Sequence, residues 1–308
     1  MTISTHIKRN AMAALLILMS TAANATTVKL SNVPNYEWWY GCCVTSAGMM
    51  MGYYDRNGYA GYSYGNLVPG GVAELNTFPS TAGQWDYLAQ YAIASPGHVQ
   101  DFYGGGYGAS GDDNYAGRPF DSLADFMGAS QDAAGNTNGS TTLYYFSTGD
   151  RLTALDIFNA GSQFYDSDGM YGMWEYFDYS GYGSGSADDH FFTQLIQGQG
   201  SDPTKGFTFA DYMAEIDAGR PMMIQVEGHS MLGYGYDDAA SSLFIYDTWN
   251  NAENSMTWGG TYAGLAQWGV TGFIPTGSTV PIPEPSVYAM TMIGLFMVGM
   301  VAYRRRVA

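Results

Sequence analysis

The chain has 308 residues, of which 28 are Asp or Glu and only 11 are Lys or Arg, so its formal net charge at pH 7 is −17. Such a chain repels nucleic acid phosphates and the headgroups of anionic membranes, which excludes nucleic-acid binding. Its length gives ample material for a hydrophobic core. The acidity favours solubility outside the cytoplasm or contact with a cationic partner.

Residues 1–25 have the three parts of a secretory signal peptide. Lys8 and Arg9 give a positive start, residues 11–19 are apolar, and small residues at positions 23–25 form a cleavage site. The mature chain is therefore predicted to begin near Thr26, with a working domain over residues 26–280. Export into an oxidising compartment means that unpaired thiols need a role other than stability.

Both cysteines of the chain, Cys42 and Cys43, lie in the segment 36–55. Two adjacent cysteines do not make a disulfide framework. Apolar residues then recur at helical spacing, with Thr45 and Ser46 predicted to cap the helix. Cys42 is thus predicted at a helix N-terminus, where the dipole and unpaired N–H groups favour a thiolate, the form that attacks a carbonyl. The alternative is a buried, inert cysteine.

The region from residue 59 to about 200 is rich in Gly, Tyr, Asp and Ser. Within it we predict helices over residues 83–94 and 119–127, the second capped by Asp121 or Ser122, and a short strand over residues 143–146. Residues 104–108 and 184–186 are predicted to be loops.

Two acidic clusters in this region raise the question of a calcium site. Asp166 and Asp168 begin like a calcium loop, and residues 112–114 offer oxygen ligands, but the later acidic ligands of such a loop are missing. His98 and His190 have no second His or Cys at metal-ligand spacing and are interpreted as structural or surface residues. The sequence therefore predicts no metal and no cofactor.

Regular structure is again predicted from about residue 207. A helix over residues 209–216 is closed by Gly219 and Pro221. Strands follow over residues 221–226, 228–236 and 243–249, with turn residues 237–242 between the last two. Pairing of these last two strands would bring His229, near the start of one, beside Asp247, near the end of the other.

The chain order Cys42, His229, Asp247 is that of a thiol nucleophile, a base that takes its proton, and a group that fixes the tautomer of the base. The local sequences resemble the bacteriocin-processing (double-glycine) cysteine peptidases, which are papain-like. The family's Gly-Cys-x-Pro-Thr start is similar to residues 41–45, and its Gly-His, Gly-Tyr and Asp-x-Trp block is similar to residues 228–229, 233–234 and 247–249.

This resemblance implies an α+β, papain-like fold, in which a helical lobe carries Cys42 and an antiparallel sheet lobe carries His229 and Asp247. The matching region is about residues 35–59 and 208–249, with the middle of the chain as an insertion. Two positions depart from the family: Val44 replaces its Pro, and Tyr36 replaces the oxyanion-stabilising Gln six residues before the nucleophile. The Tyr36 hydroxyl is expected to donate to the oxyanion instead.

The C-terminal residues 281–308 resemble a second known sequence pattern. A Pro-Glu-Pro sequence at 283–285 is followed by an apolar run over 287–303 and by arginines at 304–306. This order resembles the PEP-CTERM sorting signal of Gram-negative bacteria, which implies a transmembrane helix, cytoplasmic arginines and processing by an exosortase-type enzyme. A plain C-terminal anchor is the alternative, and either places the domain outside the inner membrane, in the periplasm, at the cell surface or in the extracellular matrix.

Together these features predict an exported cysteine peptidase that acts on a peptide or protein substrate through Cys42, His229 and Asp247. A transpeptidase or an amidase could use the same three residues. A different alternative is a surface or biofilm-matrix protein that keeps the fold without catalysis.

Overall fold

The computed structural model describes residues 26–78, 86–95, 98, 120–131 and 134–277. The predicted signal peptide (1–25) and sorting signal (281–308) lie outside these residues, as do the stretches 104–108 and 112–114. Within the described ranges, no helix is long and apolar enough to span a bilayer.

The described helices and strands are numbered in chain order. The helices are α1 (Cys42–Asn57), α2 (Leu88–Ile93), α3 (Leu123–Phe126), α4 (Ala154–Ala160), α5 (Ser162–Tyr165), α6 (Gly169–Tyr179) and α7 (Phe209–Asp217). The strands are β1 (Thr27–Lys29), β2 (Asn35–Tyr36), β3 (Asn76–Thr77), β4 (Leu152–Thr153), β5 (Phe191–Leu195), β6 (Met222–Val226), β7 (His229–Asp237), β8 (Ser242–Tyr246), β9 (Asn254–Thr257), β10 (Thr261–Tyr262) and β11 (Leu265–Phe273).

Among the described residues, nine strands form one antiparallel sheet. Its main path is β4-β5-β11-β6-β7-β8-β9, with β1 added beside β7 and β10 beside β11. The short strands β2 and β3 pair in parallel, separately from this sheet. Helices with an antiparallel sheet confirm the predicted α+β class.

Helices cover both faces of the sheet because successive strand residues point to opposite sides. Met223, Leu232 and Tyr234 join a core cluster with the apolar residues of α1, α3 and α6. Ile224 and neighbouring strand residues join a second cluster with α7, through Tyr212 and Ile216. Helix α1, which begins with the candidate nucleophile, is thus packed on the central strands.

The region after residue 207 agrees closely with the sequence. Helix α7 begins where Thr208 and Asp211 cap each other, with backbone-to-side-chain hydrogen bonds of 2.8 and 3.1 Å. Gly219, just beyond the helix, has a φ of +80°, as expected of a helix stop. The first two predicted strands match β6 and β7, whereas the third ends at Tyr246, so that Asp247 lies beyond it.

The middle of the chain agrees less well. The two predicted helices shrink to α2 and α3, and Ser122 caps the latter. The strand predicted over residues 143–146 is wrong, because the Tyr144 N–H donates to the Asp168 carboxylate at 2.8 Å instead of to a strand. Helices α4 to α6 were not predicted at all.

Candidate active site

Cys42 is the first residue of α1, and Gly41 is the N-cap. Gly41 has a φ of +124° and lies against Gly139: a Cβ at position 41 would be 2.0 Å from the Gly139 carbonyl oxygen. No side chain caps the helix, so the prediction for Thr45 and Ser46 is wrong. Both lie inside the helix. The first backbone N–H groups of α1 therefore have no capping side chain as acceptor and remain close to Cys42.

The Cys42 thiol is mostly buried against β7. Burial raises the pKa of this thiol above its ordinary value, although the backbone N–H groups of Ser230, Cys43 and Cys42 and the Ser230 hydroxyl donate hydrogen bonds that oppose the rise. This direction is opposite to the lowered pKa that is expected of a thiol at a helix N-terminus.

His229 opens β7, opposite Val226. Its Nε2 lies 2.8 Å from the backbone carbonyl oxygen of Asp247. A carbonyl oxygen only accepts, so Nε2 carries the proton and Nδ1 is the acceptor of the neutral ring. Burial lowers the pKa of His229, against the opposing effect of the Asp247 carbonyl and charge. The ring is stacked on the Trp249 indole, with centroids 4.1 Å apart.

The Asp247 carboxylate does not contact His229. Its Oδ1 accepts from the N–H groups of Trp249 (2.9 Å) and Asn250 (3.2 Å). Its Oδ2 accepts from the Asn250 side-chain amide (2.9 Å) and the Tyr262 hydroxyl (2.5 Å). The prediction that Asp247 orients His229 therefore needs a correction: the structure gives this contact to its backbone carbonyl, while its carboxylate holds the turn that follows.

Cys42 and His229 lie in the wall of one cavity of about 260 Å³. Helix α1, strands β6, β7 and β11, and a segment of the middle region meet there. The lining residues are Cys42, Cys43, Ser140, Thr141, Leu143, Gln225, Val226, Gly228, His229, Ser230 and Trp268. In the part of the chain that the structure describes, Cys42 and His229 share this space without a direct hydrogen bond.

Tyr36 does not reach this cavity. Its side chain is fully buried, and its hydroxyl donates to the Glu74 carbonyl oxygen at 2.9 Å. The hydroxyl lies against Gly52 of α1, ten residues beyond Cys42 or about 15 Å along the helix. The expectation that Tyr36 stabilises an oxyanion at Cys42 is therefore wrong.

The second cysteine belongs to the core. Cys43 is buried among the apolar residues of α1, and burial raises the pKa of its thiol well above the ordinary range. Both cysteines are free thiols. Cys43 borders the same cavity but is only 4% exposed, which makes it a matched control for experiments on Cys42.

Asp168, one of the residues considered for calcium, has other contacts. Asp168 caps α6, and its two oxygens accept from the N–H groups of Tyr144 and Tyr171. Across the described ranges, no group of three or more His, Cys, Asp or Glu residues could hold a metal ion. His98 is buried and hydrogen-bonded to Asp125, and His190 is partly exposed beside Asp189.

Three residues that shape the site were not recognised from the sequence. Ser230 contacts the Cys42 thiol, Tyr262 holds the Asp247 carboxylate, and Trp268 lines the cavity. Ser230 directly follows His229, so its proximity could have been inferred. Tyr262 and Trp268 lie on strands β10 and β11, which carried no recognised motif.

A comparison with protein-family models matches residues 30–274 to the Peptidase_C39 like family. The chain belongs to the Peptidase_C39 like family. This membership covers most of the described residues and supports a cysteine peptidase-type function. No curated protein and no solved structure matches the chain.

Proposed function

We propose that this Peptidase_C39 like protein is an exported cysteine peptidase in which Cys42 is the nucleophile and His229 is the general base. The supporting observation is that both side chains line one cavity, with His229 Nε2 hydrogen-bonded to a carbonyl. That bond leaves Nδ1 as the atom that can accept the thiol proton. The fold proposed for this site is papain-like, with Cys42 on a helix and His229 on the antiparallel sheet.

The reaction starts from a neutral thiol and a neutral imidazole. His229 Nδ1 takes the thiol proton as Cys42 Sγ attacks the carbonyl carbon of the scissile peptide, forming a tetrahedral oxyanion. The imidazolium then gives this proton to the leaving nitrogen, the C–N bond breaks, and a thioester remains on Cys42. Water, deprotonated by His229, attacks the thioester, and the acid product and the protonated thiol are released.

The N-terminus of α1 provides the oxyanion donors in this proposal. The backbone N–H groups of Cys42 and Cys43 have no partner further back in the helix, since the first four N–H groups of a helix are unpaired. In the resting protein they face the Cys42 sulfur. They would stabilise the negative charge that develops on the carbonyl oxygen. No Tyr36 hydroxyl is needed.

The orienting contact on His229 is a carbonyl dipole and not a carboxylate. Asp247 supplies it through the turn that its own carboxylate holds together, with four hydrogen bonds from residues 249, 250 and 262. The role of Asp247 in the proposal is thus to fix both the tautomer and the position of His229.

A transpeptidase or an amidase would use the same steps, with an amine in place of water or with a side-chain amide as substrate. A non-catalytic surface protein is favoured by one observation, the raised pKa of Cys42 without a direct contact to His229. The proposal also includes export by the signal over residues 1–25, and sorting of the tail over residues 281–308 by an exosortase-type enzyme.

A peptide-based electrophile tests this proposal without a known substrate. We expect a peptidyl vinyl sulfone to label Cys42, and the labelling rate to fall at least tenfold in His229→Ala, because addition needs a base for the thiol proton. Cys43→Ala should be labelled as fast as the wild type. Equal rates in the wild type and in His229→Ala would contradict the proposal and favour the non-catalytic alternative.

A further inference from the structure

Strand β11 is irregular where it passes the cavity. Gln267 pairs with Val226 and Gly269 pairs with Gln225, so Trp268 is an extra residue without a partner on β6. Such bulges bend a strand and change the direction of the side chain. Gln267 is buried and accepts from the Gly259 N–H, whereas Trp268 is half-buried and lines the cavity that holds Cys42.

The Trp268 side chain packs against Tyr145, a residue outside the sheet. The Tyr145 ring meets its indole edge-on, with centroids 4.6 Å apart. Tyr145 fits there because the next strand residue is Gly269: a Cβ at that position would lie 2.9 Å from the Tyr145 ring. The indole is therefore a fixed part of the cavity wall.

The cavity is uncharged, in contrast to the chain. Its partly exposed apolar residues are Leu143 and Trp268, and none of the described residues that line it is Asp, Glu, Lys or Arg. A charged group that entered would lose its hydration without gaining a partner. Among the described residues of its wall, a cationic side chain therefore finds no carboxylate, although the chain as a whole has a net charge of −17.

The size of the cavity limits its occupant. About 260 Å³ is below the range of roughly 300–1,000 Å³ that is usual for drug-sized ligands. Since Cys42 itself lines the cavity, the group that fills it must belong to a residue adjacent to the attacked carbonyl.

We propose that Trp268 is the specificity-determining residue of this site, and that the cavity selects an uncharged, apolar side chain on a residue that flanks the scissile bond. This inference rests on the proposed peptidase function and names its substrate class. The indole and Leu143 would pack on that side chain, and the bulge at Trp268 sets how deep it can enter.

The test is a cleavage profile on a peptide library with every residue type on both sides of the cut, read by mass spectrometry. For the wild type we expect kcat/KM with Val, Leu, Met or Phe at one flanking position to exceed that with Asp, Glu, Lys or Arg by at least tenfold. Trp268→Phe should keep this preference. Trp268→Glu should raise cleavage beside Lys and Arg about tenfold relative to the wild type.

A second substitution, Leu143→Glu, protects the test if Trp268→Glu does not fold, since it places a charge in the same wall from a different element. Cleavage that depends on Cys42 but shows no apolar preference, or the same profile in all folded variants, would overturn this inference and leave the peptidase function standing. Absence of any Cys42-dependent cleavage would contradict the peptidase function itself, and this inference with it.

Discussion

The Nε2 atom of His229 is hydrogen-bonded to the backbone carbonyl of Asp247, at 2.8 Å, and not to its carboxylate. The carboxylate instead accepts from the Tyr262 hydroxyl and from groups of the turn after β8. Because the position of the carbonyl depends on that turn, the orientation of His229 depends indirectly on Tyr262.

Tyr262→Phe should therefore lower kcat about tenfold and the free energy of unfolding by only about 1 kcal/mol. The substitution removes the 2.5 Å hydrogen bond to Asp247, whose loss costs about 1 kcal/mol, and loosens the turn that places the carbonyl. The matched control is Tyr236→Phe, which removes a similar bond to Asp217 (2.8 Å), on α7. Equal kcat in the two variants, measured with the same peptide, would show that Tyr262 has no positioning role.

Trp249→Ala should shift the acid limb of the pH–rate profile to higher pH. The indole covers the His229 ring on one side and is 49% exposed on the other, so its removal admits water to the imidazole. Burial now lowers the pKa of His229, and hydration would return it toward its ordinary value of about 6.5. Since only neutral His229 accepts the thiol proton, activity would be lost earlier on acidification.

The measurement is kcat/KM against pH for the wild type, Trp249→Ala and Trp249→Phe. We expect Trp249→Phe to keep the wild-type acid limb because it still covers the ring. An acid limb for Trp249→Ala that stays in place, or moves to lower pH, would show that the indole does not control the hydration of His229.

Tyr36→Phe should leave turnover unchanged and lower the free energy of unfolding by about 1 kcal/mol. Its hydroxyl donates to the Glu74 carbonyl beside Gly52, remote from Cys42. Peptide cleavage and urea unfolding of the same preparation separate the two effects. A loss of kcat of tenfold or more with unchanged stability would restore Tyr36 as the oxyanion donor.

Glu175→Gln should stabilise the fold at neutral and alkaline pH only. Burial raises the pKa of Glu175 to about 7, and the charges of Asp166 and Asp178 add to the rise. The folded state then binds a proton more tightly than the unfolded state, so the contribution of Glu175 is fully present below pH 4.5 and lost as pH rises through about 7. The neutral variant avoids this loss.

We expect the free energy of unfolding of Glu175→Gln to exceed that of the wild type by about 1 kcal/mol at pH 8, after allowance for solvent screening, and to equal it at pH 4. Glu253→Gln is the control of opposite sign, because hydrogen bonds from Lys29 and Tyr234 lower the pKa of Glu253. A gain for Glu175→Gln that is the same at both pH values would exclude the electrostatic explanation.

Local patterns of the sequence were sufficient for the elements that carry the site. Helical spacing and the stop at Gly219 and Pro221 predicted α7, and an apolar run with the extended stretch after it predicted β6 and β7, because these signals depend on near neighbours in the chain. The α+β class and the family followed from the motifs around Cys42 and His229. The proximity of these two residues was expected for the same reason.

The remaining features depend on contacts between distant parts of the chain. The role of the Asp247 carboxylate is decided by Tyr262, which lies on a later strand. Burial raises the pKa of the Cys42 thiol, and this burial depends on Ser230 and other residues far along the chain. Trp268 enters the cavity because of a bulge that has no local signal. A pattern of residues along the chain contains none of this information.

The most direct test of the proposed catalytic pair is cleavage of a peptide library by the wild type, Cys42→Ala, Cys43→Ala and His229→Ala, with new N-termini counted by mass spectrometry. We predict cleavage by the wild type and by Cys43→Ala, and at least a thousandfold less by Cys42→Ala, since Cys42 is the proposed nucleophile and Cys43, which also borders the cavity, is buried in the core. His229→Ala should lose activity to a similar degree. Cleavage that persists in Cys42→Ala, or none in the wild type, would contradict the peptidase function.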